Sequence, residues 1–470
     1  MLNKNEEYIV DIVDQGIDGE GIARINGFTV FIDGAIKGEK VKVAVIKVLS
    51  SFGYARLLEI LKKSESRVDS DCSAFKRCGG CSLRHIKYEK TLEIKTDMVK
   101  NCLIKALGFE PKVNQCIGMN NPMNYRNKLQ YPVGINKDGK PVMGVYAKRT
   151  HEIVETSNCL IQDEESSKIA NDILSLMQKY EIEPYNEAQR SGTVRHIIIR
   201  KGKKTNEIMV NIVTNTNEMK NSTNLTKELK EKYKNIKTIV QNINSKNTNV
   251  ILGDTTRVLY GSGYIEDYLG DFKFKISPLS FYQVNPTQTE VLYNKAVEYA
   301  KLSGGETIFD LYCGIGTIGI FASKKVKKIY GIEVIPQAIE NAKENANLNN
   351  AENCEFFAGE VEKILPELVQ RCEADVVFID PPRKGCDKKV LDTLLEVKPK
   401  KIVYISCNPA TLARDIAVLQ EKYELVEVQP VDMFPFTRTL RGCNEFSFKK
   451  LLRNITKYII NIHKEKGEKL

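Results

Sequence analysis

The chain of 470 residues has no tryptophan, and no run of about 18 apolar residues occurs in it. The missing run excludes a membrane-spanning helix. The opening stretch MLNKNEEYIVDIVDQG lacks the apolar core of a secretory signal, so a cytoplasmic location is expected. No internal repeat or low-complexity segment stands out. The twelve cysteines of such a chain should be reduced thiols or metal ligands rather than a disulfide framework. The length predicts several domains. The net charge of +10 comes from basic residues spread along the chain, which leans towards a nucleic-acid partner.

Residues 4 to about 62 alternate apolar and polar positions between the turns GIDGEG, INGF and IKGEK, the pattern of a small β-barrel. Residues 64 to about 275 read as a second, α+β region. Its elements are a helix over 166–180 with Ile169, Ile173, Leu176 and Met177 on one face, strands in RHIIIRKG and EIMVNIVTN, and a polar helix near 222–233. From about residue 276 to 450 strands and helices alternate, which argues for a mostly parallel sheet with ligands at the carboxyl ends of its strands. A basic, atypical tail occupies 451–470.

Four groups of residues carry chemistry. CSAFKRCGGC sets Cys72, Cys78 and Cys81 around a Gly-Gly turn, and Cys159 is a candidate fourth thiolate in competition with Cys102 and Cys116. Such a set suits zinc or an iron–sulfur cluster, and spacing alone does not choose. NPMNYRNKLQYPV interleaves Arg126 and Lys128 with Tyr125 and Tyr131, a pattern that can contact phosphate and stack on bases. IFDLYCGIGTIGIFAS runs through Gly314, Gly316 and Gly319, and Glu333 ends the next strand about 20 residues on, as a ribose-binding acid does. Alone this also matches a dinucleotide site. Asp310 before the loop, and Asp380 in DPPRKG at a later strand end, turn the reading from NAD to the cationic S-adenosylmethionine. Last, YISCNPATLARD places Cys407 at a strand end, where local sequence leaves a buried thiol and a nucleophile equally open. A thiolate beside a methyl donor is what methylation of uracil carbon-5 requires. Addition at carbon-6 develops negative charge at carbon-5, which takes the methyl group; a base then removes the carbon-5 proton and elimination frees the enzyme.

SPLSFYQVNPTQTEVLY, DLYCGIGTIGIFAS, GIEVIPQAIENAKENA, DPPRKGCD and YISCNPATLARD together resemble the RNA 5-methyluridine methyltransferases, including the bacterial 23S rRNA (uracil-5-)-methyltransferases. The N-terminal stretch resembles a TRAM domain, and CSAFKRCGGCSLRH the iron–sulfur loop of the same family. The resemblance spans residues 4 to 437. It implies a Rossmann-like methyltransferase domain, Cys407 as nucleophile, and methyl-donor contacts from Gln283, Tyr312, Glu333 and Asp380. It also implies a [4Fe–4S] cluster on Cys72, Cys78, Cys81 and Cys159, with zinc as the alternative, and a monomer acting on RNA, namely 23S rRNA. Arg383 after the prolines, where cytosine-5 enzymes carry a cysteine, disfavours cytosine.

The resemblance breaks after DMFPFT. Where the family has His-Val-Glu, with the glutamate as base, this chain has Thr439, Leu440 and Arg441. Two expectations follow. Either another acid such as Glu445 removes the proton, or the reading frame shifts after about Thr437. The second is preferred, and it predicts methyl transfer with slow release, or an RNA-binding protein without turnover.

Overall fold

The computed structural model describes residues 2–439 and 441–448. Leu440 and the tail 451–470 lie outside the described residues. Contacts divide the chain into two units, one of Met1–Met98, Gln115–Val291 and Val431–Leu440, the other of Val99–Asn114, Leu292–Pro430 and Arg441–Leu470. Among the described residues no helix is long and apolar enough to cross a membrane.

The first unit begins with the expected strand-rich domain. Six strands, from Glu7–Asp11 to Phe52–Lys62, form one sheet in the order first, fifth, sixth, fourth, third, second. Alternation puts Ala23, Ile25, Val30, Ile32, Val41, Val43 and Val45 in its core. The hairpin between Gly21–Ile25 and Phe28–Asp33 turns on Asn26 and Gly27, both at positive φ (51° and 82°), as a two-residue hairpin loop demands.

A second, seven-stranded sheet fills the middle of this unit. Its order is Thr255–Gly261, Ile236–Ile243, Ile208–Thr214, Val194–Lys201, Lys128–Ile135, Pro141–Tyr146 and Ile153–Glu155. Helices Glu164–Lys179 and Ser222–Lys232 bury Ile169, Ile173, Met177, Leu225 and Leu229 against it. The first helix starts one turn's edge earlier than the apolar pattern suggests because Asp163 caps it, accepting the Ser166 N–H at 2.8 Å.

Far along the chain, Val431–Leu440 returns to this unit and is pinned there. Asp432 pairs with Lys95 at 2.5 Å, both side chains fully buried. Lys95 Nζ also donates to the carbonyls of Phe434 (3.0 Å) and Thr439 (3.3 Å), and the Tyr88 hydroxyl donates to Asp432 (3.0 Å). A buried pair satisfied in this way defines one placement of the segment, and deleting one partner leaves an uncompensated charge that costs roughly 3–5 kcal/mol.

The second unit carries the α/β sheet. Its order is Cys354–Ala358, Lys328–Glu333, Thr307–Leu311, Val376–Ile379, Lys401–Ser406, Arg441–Phe448 and Tyr423–Val431. The first five strands are parallel, and Arg441–Phe448 runs antiparallel to Lys401–Ser406. From Thr307–Leu311 the chain winds one way to Lys328–Glu333, then the other way to Val376–Ile379. The crevice where such a sheet takes its ligand therefore lies at the carboxyl ends of these strands, at Tyr312 and Asp380.

Candidate active site

The glycine loop follows strand Thr307–Leu311. Tyr312 stands at φ +64°, a conformation costly for a side chain of that size, and its hydroxyl faces the Cys386 thiol and the Asp387 backbone. Gly316 stands at φ +80°, and a Cβ there would lie 2.9 Å from the Phe356 ring. A Cβ on Gly314 would meet nothing within 4 Å, so the loop is closed on its sheet side and open at its tip. Glu333 reaches back to this tip, accepting N–H bonds from Gly314 (3.3 Å) and Ile335 (3.0 Å).

Behind the loop Asp310 is fully buried and accepts the Gly319 N–H at 2.9 Å through Oδ2. Its Oδ1 has no partner, nor has Asp380 Oδ1. Burial pushes the Asp310 carboxyl up to about 7, the Gly319 N–H opposes this, and the charges of Asp380 and Glu333 add to the rise. Three carboxylates and two orphaned oxygens fit a ligand that brings positive charge and ribose hydroxyls, as S-adenosylmethionine does.

A pH dependence follows. The folded chain holds the Asp310 proton more tightly than the unfolded chain, so this group's contribution to stability falls as pH rises through the window from about 4 to about 7. Affinity for a cationic donor should change in the opposite sense, growing as Asp310 ionises. Calorimetric titration with S-adenosylmethionine in the absence of RNA is expected to show affinity rising up to about tenfold per unit between about pH 6 and about pH 7, with a flatter profile in Asp310→Asn.

Cys407 follows strand Lys401–Ser406 directly and precedes Asn408, the N-cap of helix Pro409–Leu419. Ser406 Oγ accepts the Asn408 N–H (3.1 Å) and donates to the Asn408 carbonyl (3.0 Å), so the turn carrying the thiol is braced on both sides. Asn408 caps the helix through the Ala410 N–H (3.0 Å), while Asn408 Nδ2 and Thr411 Oγ1 donate to the Arg383 carbonyl (3.4 and 3.3 Å). The Asp-Pro-Pro loop is thereby held against the thiol's own turn.

Sequence reading missed the group that fixes this loop from below. Asp415 is fully buried and accepts from the Tyr404 hydroxyl (2.6 Å), the Cys386 N–H (2.8 Å) and Arg414 (2.6 and 2.8 Å). A Cβ on Gly385 (φ +79°) would sit 2.5 Å from Arg414 Nη2 and 2.7 Å from Asp415, so the loop can close only over glycine.

Arg441 was also unforeseen as a contact. It begins the antiparallel strand, is almost wholly buried, and donates to Asp380 Oδ2 at 2.8 Å, with Nε unpaired. Burial raises the Cys407 thiol; the Arg441 charge pulls it down, Asp380 raises it, and Arg383 lowers it. Residue 441 therefore stands beside both Cys407 and Asp380. Glu445 does not. It pairs in register with Val403, three residues before Ser406, and forms an ion pair with Lys301 at 2.9 Å. The expectation that it removes the proton fails on that register, since about 3.3 Å per residue carries it away from the strand end.

Tyr312, Glu333, Asp380 and Cys407 belong to the second unit and Gln283 to the first, where it is buried and its carbonyl accepts from Asn127 Nδ2 (3.1 Å). In the first unit the Cys78 and Cys81 thiols are raised chiefly by burial and further by Cys159 and Cys72; Cys81 is pushed up to about 12. Cys159 thus joins the triad. Cys116 lies instead beside Lys95 and Asp432, and Cys102 beside Lys105. Among the described residues no three potential ligands converge closely enough to hold a single metal ion. The expected stacking surface at 125–131 is corrected. Tyr125 and Tyr131 are core residues and cannot stack on bases; Arg126 and Lys128 are only half-buried.

The sequence model described as tRNA (Uracil-5-)-methyltransferase matches residues 201–444, and that of the TRAM domain matches residues 2–58. The chain belongs to the tRNA (uracil-5-)-methyltransferase family. An uncharacterized RNA methyltransferase of Clostridium acetobutylicum is 49% identical over 442 residues, covering 93% of this chain and 96% of that protein. A second, from Clostridium tetani, is 47% identical over 438 residues, covering 93% and 95%. The crystal structure of Pyrococcus abyssi tRNA (uracil-54, C5)-methyltransferase in complex with S-adenosyl-L-homocysteine superposes with a TM-score of 0.75. It is 27% identical and covers 93% of this chain and 100% of that one. Family membership makes this chain an RNA methyltransferase with S-adenosylmethionine as donor, and the acid-lined glycine loop is its counterpart in side chains.

Proposed function

We propose that the chain methylates carbon-5 of uridine in RNA, with Cys407 adding to uracil carbon-6. The observation that carries this reading is the placement of the thiol. Cys407 sits at the carboxyl end of the sheet on a turn braced by Ser406 and Asn408, next to the Asp380 loop. S-adenosylmethionine, when bound, supplies the methyl group. Tyr312, Glu333 and Asp380 would hold it, with Gln283 as a further contact. Arg441 and Arg383 favour the thiolate that must attack. Because carbon-6 is inaccessible within a stacked duplex, the target uridine is unpaired or flipped out.

Cys72, Cys78, Cys81 and Cys159 would hold a [4Fe–4S] cluster. Cys159 and Cys72 both act on the Cys78 and Cys81 thiols, which brings the four together, and the resemblance of the cysteine loop favours the cluster over zinc. The protein is proposed to act as a cytoplasmic monomer, and 23S rRNA is the substrate implied by the resemblance of the C-terminal motifs to the 23S rRNA (uracil-5-)-methyltransferases.

The test is to incubate the protein with labelled donor and with 23S rRNA and tRNA in separate reactions, then digest and identify the nucleoside by mass spectrometry. Labelled 5-methyluridine in rRNA is expected. Label in tRNA alone moves the substrate, and label on another base overturns the reading.

A further inference from the structure

A groove of about 1290 Å³ crosses the first unit between the cysteine loop, the strands Lys128–Ile135 to Ile153–Glu155, and the loops near 185–195 and 248–251. It exceeds the roughly 300–1,000 Å³ of a small-ligand pocket. Two flat platforms line it. The His151 imidazole is stacked on the Tyr146 ring, 5.0 Å between centroids at 20°, with His151 exposed. The Arg195 guanidinium lies 4.9 Å over Tyr185, held there by bonds to the carbonyls of Asn244 (2.6 Å) and Lys246 (2.9 Å). Lys76 and Lys137 supply cations along the walls, which also carry Asp138, Glu155, the Arg77–Glu152 ion pair (2.5 Å) and Glu187, bonded to His151 Nδ1 (2.8 Å); Ile135 and Val250 expose apolar surface.

An independent feature points to a ligand. His196 is 93% buried, lines this groove and the smaller cavity beside it, and its Nδ1 has no hydrogen-bond partner. Burial lowers its pKa to about 4, so the ring is neutral, and a flip of the imidazole would turn the sealed, unpaired Nδ1 towards a base edge. Planar platforms, sparse cations and one buried polar reader match the recognition of unpaired nucleotides.

We propose that this groove binds a single-stranded segment of the RNA, one base stacking at Tyr146–His151, a second at Arg195–Tyr185, and His196 reading a base edge. The proposal rests on RNA being the substrate but not on which base is methylated. The full chain, with S-adenosylhomocysteine, is photocrosslinked to a library of single-stranded RNAs containing 4-thiouridine, and the crosslinked peptides are sequenced. Crosslinks are expected within 146–151 and 185–196. His151→Ala, an exposed change that leaves the fold alone, should weaken RNA binding about 5- to 150-fold with an unchanged salt slope. Lys137→Ala should instead lower the salt slope by about 0.7. Crosslinks confined to other regions, or a His151→Ala protein within twofold of the parent, would overturn the proposal. Loss of 5-methyluridine formation with groove crosslinks intact would strike the uracil reading and spare this one.

Discussion

Cys407→Ala is expected to abolish methyl transfer to RNA, lowering it by at least about 10³-fold, while leaving donor affinity and RNA affinity within a few fold. The side chain is half-buried on a surface turn, and the bonds that brace the turn come from Ser406 and Asn408, so its removal does not disturb the fold. The measurement is single-turnover transfer of labelled methyl to RNA, with calorimetry for the donor. A Cys407→Ala protein that still forms 5-methyluridine would exclude the covalent route. A denaturant-stable protein–RNA adduct seen with the parent and missing from the variant would support it.

The second large effect concerns release. After methyl transfer a base must take the carbon-5 proton, and residue 441, beside Cys407 and Asp380, is arginine. A buried cation cannot accept a proton. The parent protein is therefore expected to accumulate the adduct and turn over slowly. Arg441→Glu should raise multiple turnover about 10²-fold, the lower range for a positioned general base. It should also slow adduct formation, because the charge that favours the Cys407 thiolate is reversed. Quenched-flow separation of the two phases checks both signs; a variant that accelerates neither release nor turnover would sink the assignment.

The strand that bears Arg441 supports a shifted frame as the origin of that residue. A strand buried between neighbours normally reads as an apolar run. Here Arg441, Asn444 and Glu445 are all buried; Arg441 Nε and Asn444 Oδ1 have no hydrogen bond, and Glu445 needs the Lys301 charge beside it. Codons permitted for Arg438 to Asn444, read one nucleotide later, can spell Glu-His-Leu-Glu-Val-Val-Met. That places histidine at 439, glutamate at 441 and apolar residues along the strand, removing the local conflict and restoring the family's pattern together. Genomic DNA across these codons should then hold one nucleotide fewer.

The strand ends that carry the candidate site were legible because they announce themselves. Glycines after Thr307–Leu311, the acid that ends Lys328–Glu333, Asp-Pro-Pro after Val376–Ile379 and cysteine after Lys401–Ser406 each interrupt an apolar run. The helix Glu164–Lys179 was legible from its apolar periodicity, and Ser222–Lys232 from its polar, charged composition. The Asp415 network was not, because it joins residues about 30 apart whose roles appear only once the loop closes on Gly385. The 125–131 stretch misled for a geometric reason. Along a strand every second residue faces inward, so Tyr125, Asn127, Leu129 and Tyr131 share the buried side while Arg126, Lys128 and Gln130 share the other. Interleaving of aromatic and basic residues was the signature of a two-sided strand and not of one mixed surface.

The Lys95–Asp432 pair bears on how the chain is made. The partners are 337 residues apart. At about 5–20 residues per second, roughly 20–70 s of synthesis separates the appearance of the lysine from that of its counter-ion. Through that interval the ammonium cannot be buried without a large penalty, so the region around helix Tyr88–Leu107 cannot set before the far end of the chain emerges. The nascent N-terminal region is thus kept from closing early, and the final step of its folding waits on residues that the ribosome delivers 337 positions later.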